Sequence, residues 1–304
     1  MELPQQLKLL YRHWDTYLAH RTKGSVEKII TDKKLFSELS SFIQERIKIW
    51  DKKTKRKPKP YTEDDILSVY RFCNIYREFD RQTIEFHTLL SSIRDDFPLW
   101  LLNMFFCRMV ARTQTIMDTG PLSFNKKQNK EVYRRLMHAR RPIYGTPYVF
   151  PISVIQRSEF PTRESFICFY LPMIMKKVAK EIRKWNKISV AEGLEKLIPI
   201  FKFNLSFLWT EVLIDVAYQY PEHIDLFKAF PVGPGSLPTM QKINKKVEPN
   251  LLPEMLAKYT YNTKITINKK KLKLSAENWE GIGCEFRKYS NLRRGKGRKR
   301  IYAR

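Results

Sequence analysis

The stretch PIFKFNLSFLWTEVLIDVAYQY, residues 199–220, is apolar at almost every position. A helix that is hydrophobic nearly all round is buried among other elements. Asn204, Glu211 and Asp215 interrupt the apolar pattern, and their spacings of seven and four place them on one face of the helix. The stretch therefore predicts a buried helix with a polar stripe, and it sets the expectation of a mainly α fold.

The two carboxylates of this helix, Glu211 and Asp215, are expensive to bury unless they are paired or functional. In a cleft they could act as a general base or bind an ammonium group. The alternative is that they form structural ion pairs with Arg77, Arg81 or Arg108. The sequence leaves both interpretations open.

Apolar residues recur at helical spacing through most of the chain. The predicted helices lie within 1–50, from about 61 to 91, and over 97–117, 129–139, 162–184 and 190–197. Thr62 is the predicted N-cap of the second of these. Residues 140–155 contain three prolines and a glycine and are expected to form an extended loop. Alternation over 261–275 predicts one β-hairpin.

These elements predict a mainly α protein, a single compact multi-helix domain with one small β-hairpin near the C-terminus and a basic tail. The expected organisation is a basic helical N-terminal extension over 1–57, followed by a helical domain over 58–302 that includes the tail.

Positive charge is the unusual feature of the composition, with 57 Lys plus Arg against 31 Asp plus Glu and a net charge of +26. A polyanionic partner is the simplest physical account, because each cation that neutralises a phosphate releases a counterion. A lysine-rich genome or an anionic membrane could produce the same bias. The run DKKTKRKPKP (51–60) is either a solvated linker or a basic finger on phosphates, and the tail KYSNLRRGKGRKRIYAR (288–304) is densely basic.

The cysteines and histidines show no metal-binding spacing, since Cys73, Cys107, Cys168 and Cys284 are far apart and no HxxxH or HExxH occurs. We expect no metal, no cofactor and no disulfide framework. The N-terminus lacks a signal-type apolar region, and no apolar run reaches about 18 residues. The expectation is an intracellular protein that is not secreted and has no membrane partner, in the host cytoplasm if viral and in the nucleus if eukaryotic.

The segment YRFCNIYREFDRQTIEF (70–86) is a candidate phosphate-binding surface. On the predicted helix, Tyr70, Asn74, Arg77 and Arg81 share one face, and Asp80 could orient Arg77. Arginine offers a planar donor fork that suits phosphate oxygens. The alternative is an exposed helix with ordinary salt bridges.

Two further pieces carry candidate chemistry. The turn Gly233-Pro234-Gly235 could expose backbone amides to a phosphate, although an ordinary turn is the alternative. Cys284 could act as a nucleophile whose thiolate Lys288 favours, or it could be inert packing. No GxxxxGK[ST] motif is present, so the sequence contains no P-loop.

These pieces, in this order, resemble one family: the helical domain shared by alpha-glutamyl/putrescinyl thymine pyrophosphorylases and 5-hydroxymethyluracil DNA kinases. The block PYTEDDILSVYRFCNIYREFDRQTIEF (60–86) holds an R-x-x-N-x-Y-R-x-x-D-R pattern. The carboxylate helix, then VGPGS (232–236) and GCEFRKY (283–289), resemble the later blocks. The resemblance spans about 58–302; the first 50 residues and Thr146-Pro147 depart from it.

The resemblance implies a role in thymine hypermodification of the kind found in bacteriophage DNA. In such pathways a kinase phosphorylates 5-hydroxymethyluracil within DNA, and a pyrophosphorylase-type enzyme then displaces pyrophosphate with an amino acid or a polyamine. Because the chain lacks a P-loop, the resemblance implies the transferase step. The implied partners are DNA with a modified thymine that is flipped or single-stranded, the amine co-substrate, and a possible 5-hydroxymethyluracil DNA kinase.

In this interpretation Arg77, Arg81 and the turn Gly233 to Gly235 would stabilise the departing pyrophosphate. Glu211 or Asp215 would take a proton from the amine, and Cys284 would add to C6 of the uracil. An aromatic ring such as Tyr76, Tyr144 or Trp209 could hold a flipped base. The remaining predicted phosphate- or DNA-binding residues are Asn74, Asp80, Glu285, Lys288, Tyr289 and Arg300.

Two other functions remain open. One is a non-catalytic DNA-binding module that acts with a separate 5-hydroxymethyluracil DNA kinase. The other is a base-excising glycosylase of helix-hairpin-helix type, which needs a carboxylate soon after the glycine turn. The nearest, Glu248 and Glu254, lie in a proline-bearing stretch that suits this role poorly.

Overall fold

A computed structural model describes residues 1–145, 159–203 and 205–297. The helices, in chain order, are α1 (Gln5–Leu10), α2 (Trp14–Ala19), α3 (Lys33–Thr54), α4 (Asp65–Val69), α5 (Arg81–Leu89), α6 (Phe97–Val110), α7 (Thr113–Thr119), α8 (Lys126–Met137), α9 (Leu171–Ile182), α10 (Val190–Phe201), α11 (Ser206–Gln219), α12 (Leu237–Ile243), α13 (Leu252–Ala257) and α14 (Ala276–Arg293). The strands are β1 (Lys23–Ser25), β2 (Tyr259–Thr260), β3 (Thr266–Ile267) and β4 (Lys270–Lys271). One α-helical turn (Arg163–Ser165) and a π-helical stretch (Phe166–Tyr170) precede α9.

The predicted mainly α fold is confirmed, with small two-stranded sheets as the β-structure of the described residues. Contacts between residues group into two units. Unit 1 comprises Met1–Leu9, Trp14–Asp80 and Leu226–Arg304, and unit 2 comprises Leu10–His13 and Arg81–Asp225.

In unit 1 the long helix α3 packs against α14. Asp32 caps α3 by accepting the Leu35 amide hydrogen at 3.0 Å. Phe42 of α3 meets Phe286 and Tyr289 of α14, with ring centroids 5.7 and 5.1 Å apart. Each large side chain buried in this way contributes about 1.5–3 kcal/mol relative to its exposed state. The packing of α3 against α14 holds the motif block GCEFRKY (283–289) in place, because that block lies on α14.

The predicted hairpin is present in unit 1 as β3 and β4, which pair antiparallel. Asn268 and Lys269 form its turn with φ angles of 48° and 67°, the left-handed pair that a tight two-residue hairpin turn requires. Ile267 and Leu272 are buried, whereas the lysines at its tip are exposed. The short connection VGPG leads into α12.

The predicted helix from 61 to 91 is wrong in its middle. Helix α4 ends at Val69, residues 71–74 have no regular secondary structure, and helix structure resumes with a short 3₁₀ turn at Arg77–Phe79 and then α5. Tyr70, Asn74, Arg77 and Arg81 therefore do not form one helical stripe. The N-cap also differs: Asp64 accepts the Ile66 and Leu67 amide hydrogens at 3.0 and 2.8 Å.

The physical reason is that side chains distant in sequence bind the backbone of this segment. Arg46 donates to the carbonyl oxygens of Phe72 and Cys73, at 2.9 and 3.1 Å. Glu285 accepts the Cys73 amide hydrogen at 3.1 Å. These hydrogen bonds replace those of a helix, so tertiary contacts override the helical periodicity.

In unit 2 the core is built around α6, which packs against both α9 and α11. Helix α6 is buried along nearly its whole length and ends at Ala111, whose φ of 51° breaks the helix predicted over 97–117. The predicted helix over 199–220 is likewise divided. Helix α10 ends at Phe201, Lys202 has a φ of 66°, and α11 begins at Ser206.

Some predictions lie outside the described residues: the polar position Asn204, Thr146-Pro147 with most of the predicted loop over 140–155, and the tail residue Arg300. Among the helices that the structure describes, none is both long enough and apolar enough to cross a membrane.

Candidate functional site

The centre of the candidate site is the non-helical segment after α4, in which Asn74 and Asp80 are hydrogen-bonded to each other. The backbone amide and the side-chain amide of Asn74 donate to Asp80 Oδ1, at 2.9 and 2.8 Å. The same side-chain amide donates to the Phe79 carbonyl oxygen at 2.9 Å. Asn74 therefore fixes both the loop and the orientation of the Asp80 carboxylate.

The C-terminal motif block meets this segment through Glu285, which is 5% exposed on α14. Its Oε2 accepts the Cys73 amide hydrogen at 3.1 Å, and its Oε1 accepts from Lys288 Nζ at 2.5 Å. Burial alone would lower the pKa of Lys288, but the charge and hydrogen bond of Glu285, together with contributions from Cys284 and Cys73, raise that pKa. Cys73 and Glu285, 212 positions apart in sequence, thus join the two motif blocks. The positive charge of Lys288 lies beside this contact.

Asp80 has the electrostatics of a proton-exchanging group. Its burial raises its pKa to about 6, with the Asn74 amide and the Arg77 charge opposing the rise and the Glu285 charge adding to it. A carboxyl group with this pKa changes protonation state close to neutral pH. Both cations and carboxylates therefore lie beside the segment.

Arg46 belongs to this cluster, although the sequence motifs do not include it. It lies on α3 and is 2% exposed. Its Nη2 binds the two carbonyls of the segment, while Nε and Nη1 have no hydrogen-bond partner among the described residues. The sequence does contain a signal that Arg46 is buried, because it lies between Phe42 and Trp50 on the apolar face of α3.

The glycine turn is bound to α14. Glu280 Oε1 accepts the Gly233 amide hydrogen at 3.2 Å and the Ser236 hydroxyl at 2.7 Å, and Arg287 donates to the Pro234 carbonyl at 2.6 Å. The Gly233 amide is therefore engaged by the chain's own carboxylate and is not presented to a phosphate.

Gly235 and Cys284 are in direct contact. A Cβ atom on Gly235 would lie 2.6 Å from Cys284 Sγ, so the close approach requires glycine. Burial raises the pKa of the Cys284 thiol by more than the Lys288 charge lowers it. At neutral pH the group is a thiol, so the geometry favours the packing role for Cys284 over the nucleophilic one.

Tyr76 and Tyr289, the two tyrosines of unit 1 that were predicted as site residues, both make contacts within the protein. Tyr76 is fully buried, with its hydroxyl 3.1 Å from Thr263 Oγ1, so it does not present a ring to DNA. Tyr289 is 8% exposed and donates to Asp64 Oδ2 at 2.5 Å. This bond links α14 to the N-cap of α4. Trp209, named from the sequence as a possible base-holding ring, is also buried.

Unit 2 holds Asp215 in a fully buried ion pair. Its Oδ2 accepts from Arg108 Nε and its Oδ1 from Arg108 Nη2, both at 2.6 Å. His87 Nε2 lies 3.0 Å from Oδ1, and Gln219 donates to His87 Nδ1 at 3.0 Å. This is the structural alternative weighed from the sequence, and we assign Asp215 to it.

Two other predicted residues of unit 2, Glu211 and Arg81, are more accessible than Asp215. Glu211 is half-buried, one turn earlier on α11. Arg81 has a side chain that is 91% exposed and pairs with Glu85 at 2.7 Å. Tyr144 and Trp209 also lie in unit 2, and unit 1 contains the remaining described candidates, namely Asn74, Tyr76, Arg77, Asp80, Gly233, Gly235, Cys284, Glu285, Lys288 and Tyr289.

Comparison with known proteins gives a relative and a family. A protein of Bacillus phage SP10 named "5-hmdU DNA kinase" is 29% identical over 114 residues, which cover 34% of this chain and 18% of that protein. No solved structure matches. The family described as "5-hmdU DNA kinase, helical domain" matches residues 33–299, which include both motif blocks and the glycine turn. The chain therefore belongs to the family of 5-hmdU DNA kinase helical domains.

Proposed function

We propose that this chain takes part in the hypermodification of thymine in DNA, and that it transfers an amine onto 5-(pyrophosphoryloxymethyl)uracil with release of pyrophosphate. Family membership links it to 5-hydroxymethyluracil chemistry. The net charge of +26 suits a polyanionic substrate. The sequence has no P-loop, which argues against a kinase reaction by this chain itself.

The observation that carries the proposal is the convergence of the two motif blocks around Asp80 and Glu285. A carboxyl group with a pKa of about 6 lies beside Arg77, and the charged Lys288 is held against Glu285. Displacing a pyrophosphate needs positive charge for the leaving group and a base for the incoming amine. The cluster supplies both kinds of group in unit 1.

The proposed reaction balances without a cofactor. The amine nitrogen forms a bond to the methylene carbon on uracil C5 while the bond from that carbon to the pyrophosphate oxygen breaks. The electron pair of the broken bond leaves with pyrophosphate, and the proton lost by the amine passes to a carboxylate. Arg77 and Lys288 would stabilise the developing negative charge of the leaving group.

Asp80 is the base that we propose. Its orientation is fixed by Asn74, and its pKa of about 6 leaves it mostly deprotonated at neutral pH yet basic enough to accept a proton. The sequence favoured Glu211 or Asp215 for this role. Asp215 has both oxygens on Arg108 and no exposed side-chain surface, so it would have to break a buried ion pair to act. Glu211 stays a second candidate.

The test is incubation of the purified protein with DNA that contains 5-(pyrophosphoryloxymethyl)uracil, together with pooled amino acids and polyamines. Released pyrophosphate is measured, and the digested nucleosides are analysed by mass spectrometry. We expect pyrophosphate and a nucleoside whose mass corresponds to one added amine. DNA binding with neither product would remove the transferase proposal.

A second candidate is supported by the comparisons themselves. The relative is named as a kinase, the matched family is described as its helical domain, and the aligned region is 18% of that protein. A helical module of this kind could present DNA to a separate kinase without chemistry of its own. In that case the same assay yields no product. The rate of phosphorylation by an added 5-hydroxymethyluracil DNA kinase should instead increase in the presence of this chain.

A further inference from the structure

A groove in unit 1 carries an excess of positive charge that the proposed chemistry does not use. It has a volume of about 380 Å³ and lies among the first turns of α3, the helix α12 with the residues after it, and the C-terminal half of α14. Its basic side chains are Lys34, Lys242, Lys245, Arg287 and Arg294. Leu35, Pro238 and Phe286 contribute apolar surface to the same groove.

The charge of this groove is poorly compensated by its own carboxylates. Five cations face two acidic residues, Asp32 and Glu38. Asp32 is already engaged as the N-cap of α3. Among the described residues, Lys242, Lys245 and Arg294 form no ion pair with a carboxylate. Cations held together in this way repel one another, and a polyanion in the groove would relieve that repulsion.

Arg287 connects the groove to the glycine turn of the candidate site. This residue lines the groove and donates to the Pro234 carbonyl of the glycine turn at 2.6 Å. Gly235 of this glycine turn contacts Cys284, which lies on α14 three residues before Arg287. A strand lying in the groove would therefore pass beside the turn that adjoins Glu285.

We propose that this groove binds the phosphodiester backbone of the DNA strand that carries the target base. The inference rests on the proposed function for its choice of ligand, because a strand must be held while one of its bases is modified. Lysine and arginine with apolar contacts between them suit a backbone in which phosphates alternate with sugars. An acidic protein segment is the competing ligand that the experiment has to separate.

The experiment is fluorescence anisotropy with a labelled, unmodified single-stranded DNA, titrated at several salt concentrations. The test variant is Lys242→Ala, Lys245→Ala and Arg294→Ala combined, none of which belongs to the proposed catalytic cluster. The matched control removes the same charge at the hairpin tip through Lys269→Ala, Lys270→Ala and Lys271→Ala. Circular dichroism and thermal unfolding establish that both variants are folded.

We expect the groove variant to bind at least tenfold more weakly at low salt. The slope of log Kd against log salt should fall by about 2, since each lost phosphate contact on a single strand removes about 0.7. The hairpin control should change affinity by less than threefold. Equal losses in the two variants, an unchanged groove variant, or no DNA binding by the wild type would each overturn the proposal.

A labelled poly-glutamate peptide completes the design. Tighter binding of this peptide than of DNA, with loss in the groove variant, would assign the groove to an acidic protein partner and overturn the proposal. Because the DNA is unmodified and no amine is present, the result does not depend on transferase activity. A failed amine-transfer assay and a failed groove assay are therefore distinguishable.

Discussion

Asp80 shows how one side chain sets the chemistry of the proposed site. The two amide hydrogens of Asn74 hold Oδ1, while burial and the Glu285 charge raise the pKa. The carboxyl is protonated below about pH 6 and ionised above it. It can accept a proton from an amine only in the ionised form.

This protonation equilibrium predicts the pH dependence of the reaction. We expect the single-turnover rate of amine transfer to rise tenfold per pH unit below about 6 and to level off above it. The Asp80→Asn variant should lose at least 100-fold of the rate at pH 7. A wild-type profile that is flat between pH 5 and 7, or an Asp80→Asn variant of normal rate, would assign the base elsewhere, with Glu211→Gln as the next variant to measure.

Gly235 and Cys284 provide a test of close packing. A Gly235→Ala methyl group would lie 2.6 Å from Cys284 Sγ, and such overpacking costs about 1–3 kcal/mol. Removing the sulfur should restore space, because the nearest remaining Cys284 atom would be 3.6 Å away. We therefore expect Cys284→Ala to recover most of the stability that Gly235→Ala loses, as measured by urea unfolding.

The same pair of variants examines the proposed nucleophile. Cys284→Ala alone should keep amine transfer within about threefold of wild type if the thiol only packs. Complete loss of product in a folded Cys284→Ala protein would instead support addition of a thiolate to the uracil ring.

Asp215 separates a structural carboxylate from a catalytic one. Breaking a buried ion pair leaves an uncompensated charge and typically costs 3–5 kcal/mol. We expect Asp215→Asn to lose stability on about this scale, because Arg108 would remain buried. Glu211→Gln, on a half-buried side chain of the same helix, should change stability by less than about 1 kcal/mol. An Asp215→Asn protein of normal stability that is inactive would contradict the structural assignment.

At the scale of elements, the segment 70–80 is the one that local pattern could not predict. Its apolar spacing is helical, yet Arg46, Asp80 and Glu285 bind its backbone groups and hold it in a non-helical conformation. Periodicity and turn residues are local properties of a sequence, so they predict most of the helices and the hairpin. The predicted helices are interrupted at Ala111 and Lys202, which have left-handed backbone conformations. Neither residue is a glycine, so the sequence gives no signal of these interruptions.

The site was predictable only in part for the same reason. The two motif blocks indicated Asn74, Arg77, Asp80, Glu285 and Lys288 as functional candidates, but their contact spans more than 200 residues. Nothing in either block indicates Arg46 or the His87–Asp215 contact, since each pairs positions far apart in the chain.

Glu285 should be the residue on which the non-helical segment depends. In Glu285→Ala the Cys73 amide would lose its carboxylate acceptor, and a hydrogen bond to a charged group contributes about 1.5–3 kcal/mol. We expect hydrogen exchange to become faster at the amides of residues 72–80 while α3 keeps its protection. Unchanged exchange in this segment would show that Arg46 and Asp80 are sufficient to hold it.

At the scale of the whole molecule, the chain belongs to the family of 5-hmdU DNA kinase helical domains, and its two units divide the candidate residues. Unit 1 holds the first motif block up to Asp80, the C-terminal motif block, the glycine turn and the basic groove, whereas unit 2 holds the rest of the first block and the buried Asp215 ion pair. The family match begins at residue 33, within the predicted N-terminal extension 1–57. That domain boundary stays a prediction.

The central claim is that the cluster of unit 1 performs the amine transfer. The most direct measurement is the single-turnover rate of pyrophosphate release from 5-(pyrophosphoryloxymethyl)uracil DNA for Arg77→Ala, with Lys57→Ala as the control. Enzyme in excess over DNA keeps binding from limiting the rate. We predict at least a 100-fold loss for Arg77→Ala and less than a threefold change for Lys57→Ala, which is exposed in the basic run. Equal rates in the two variants would contradict the account.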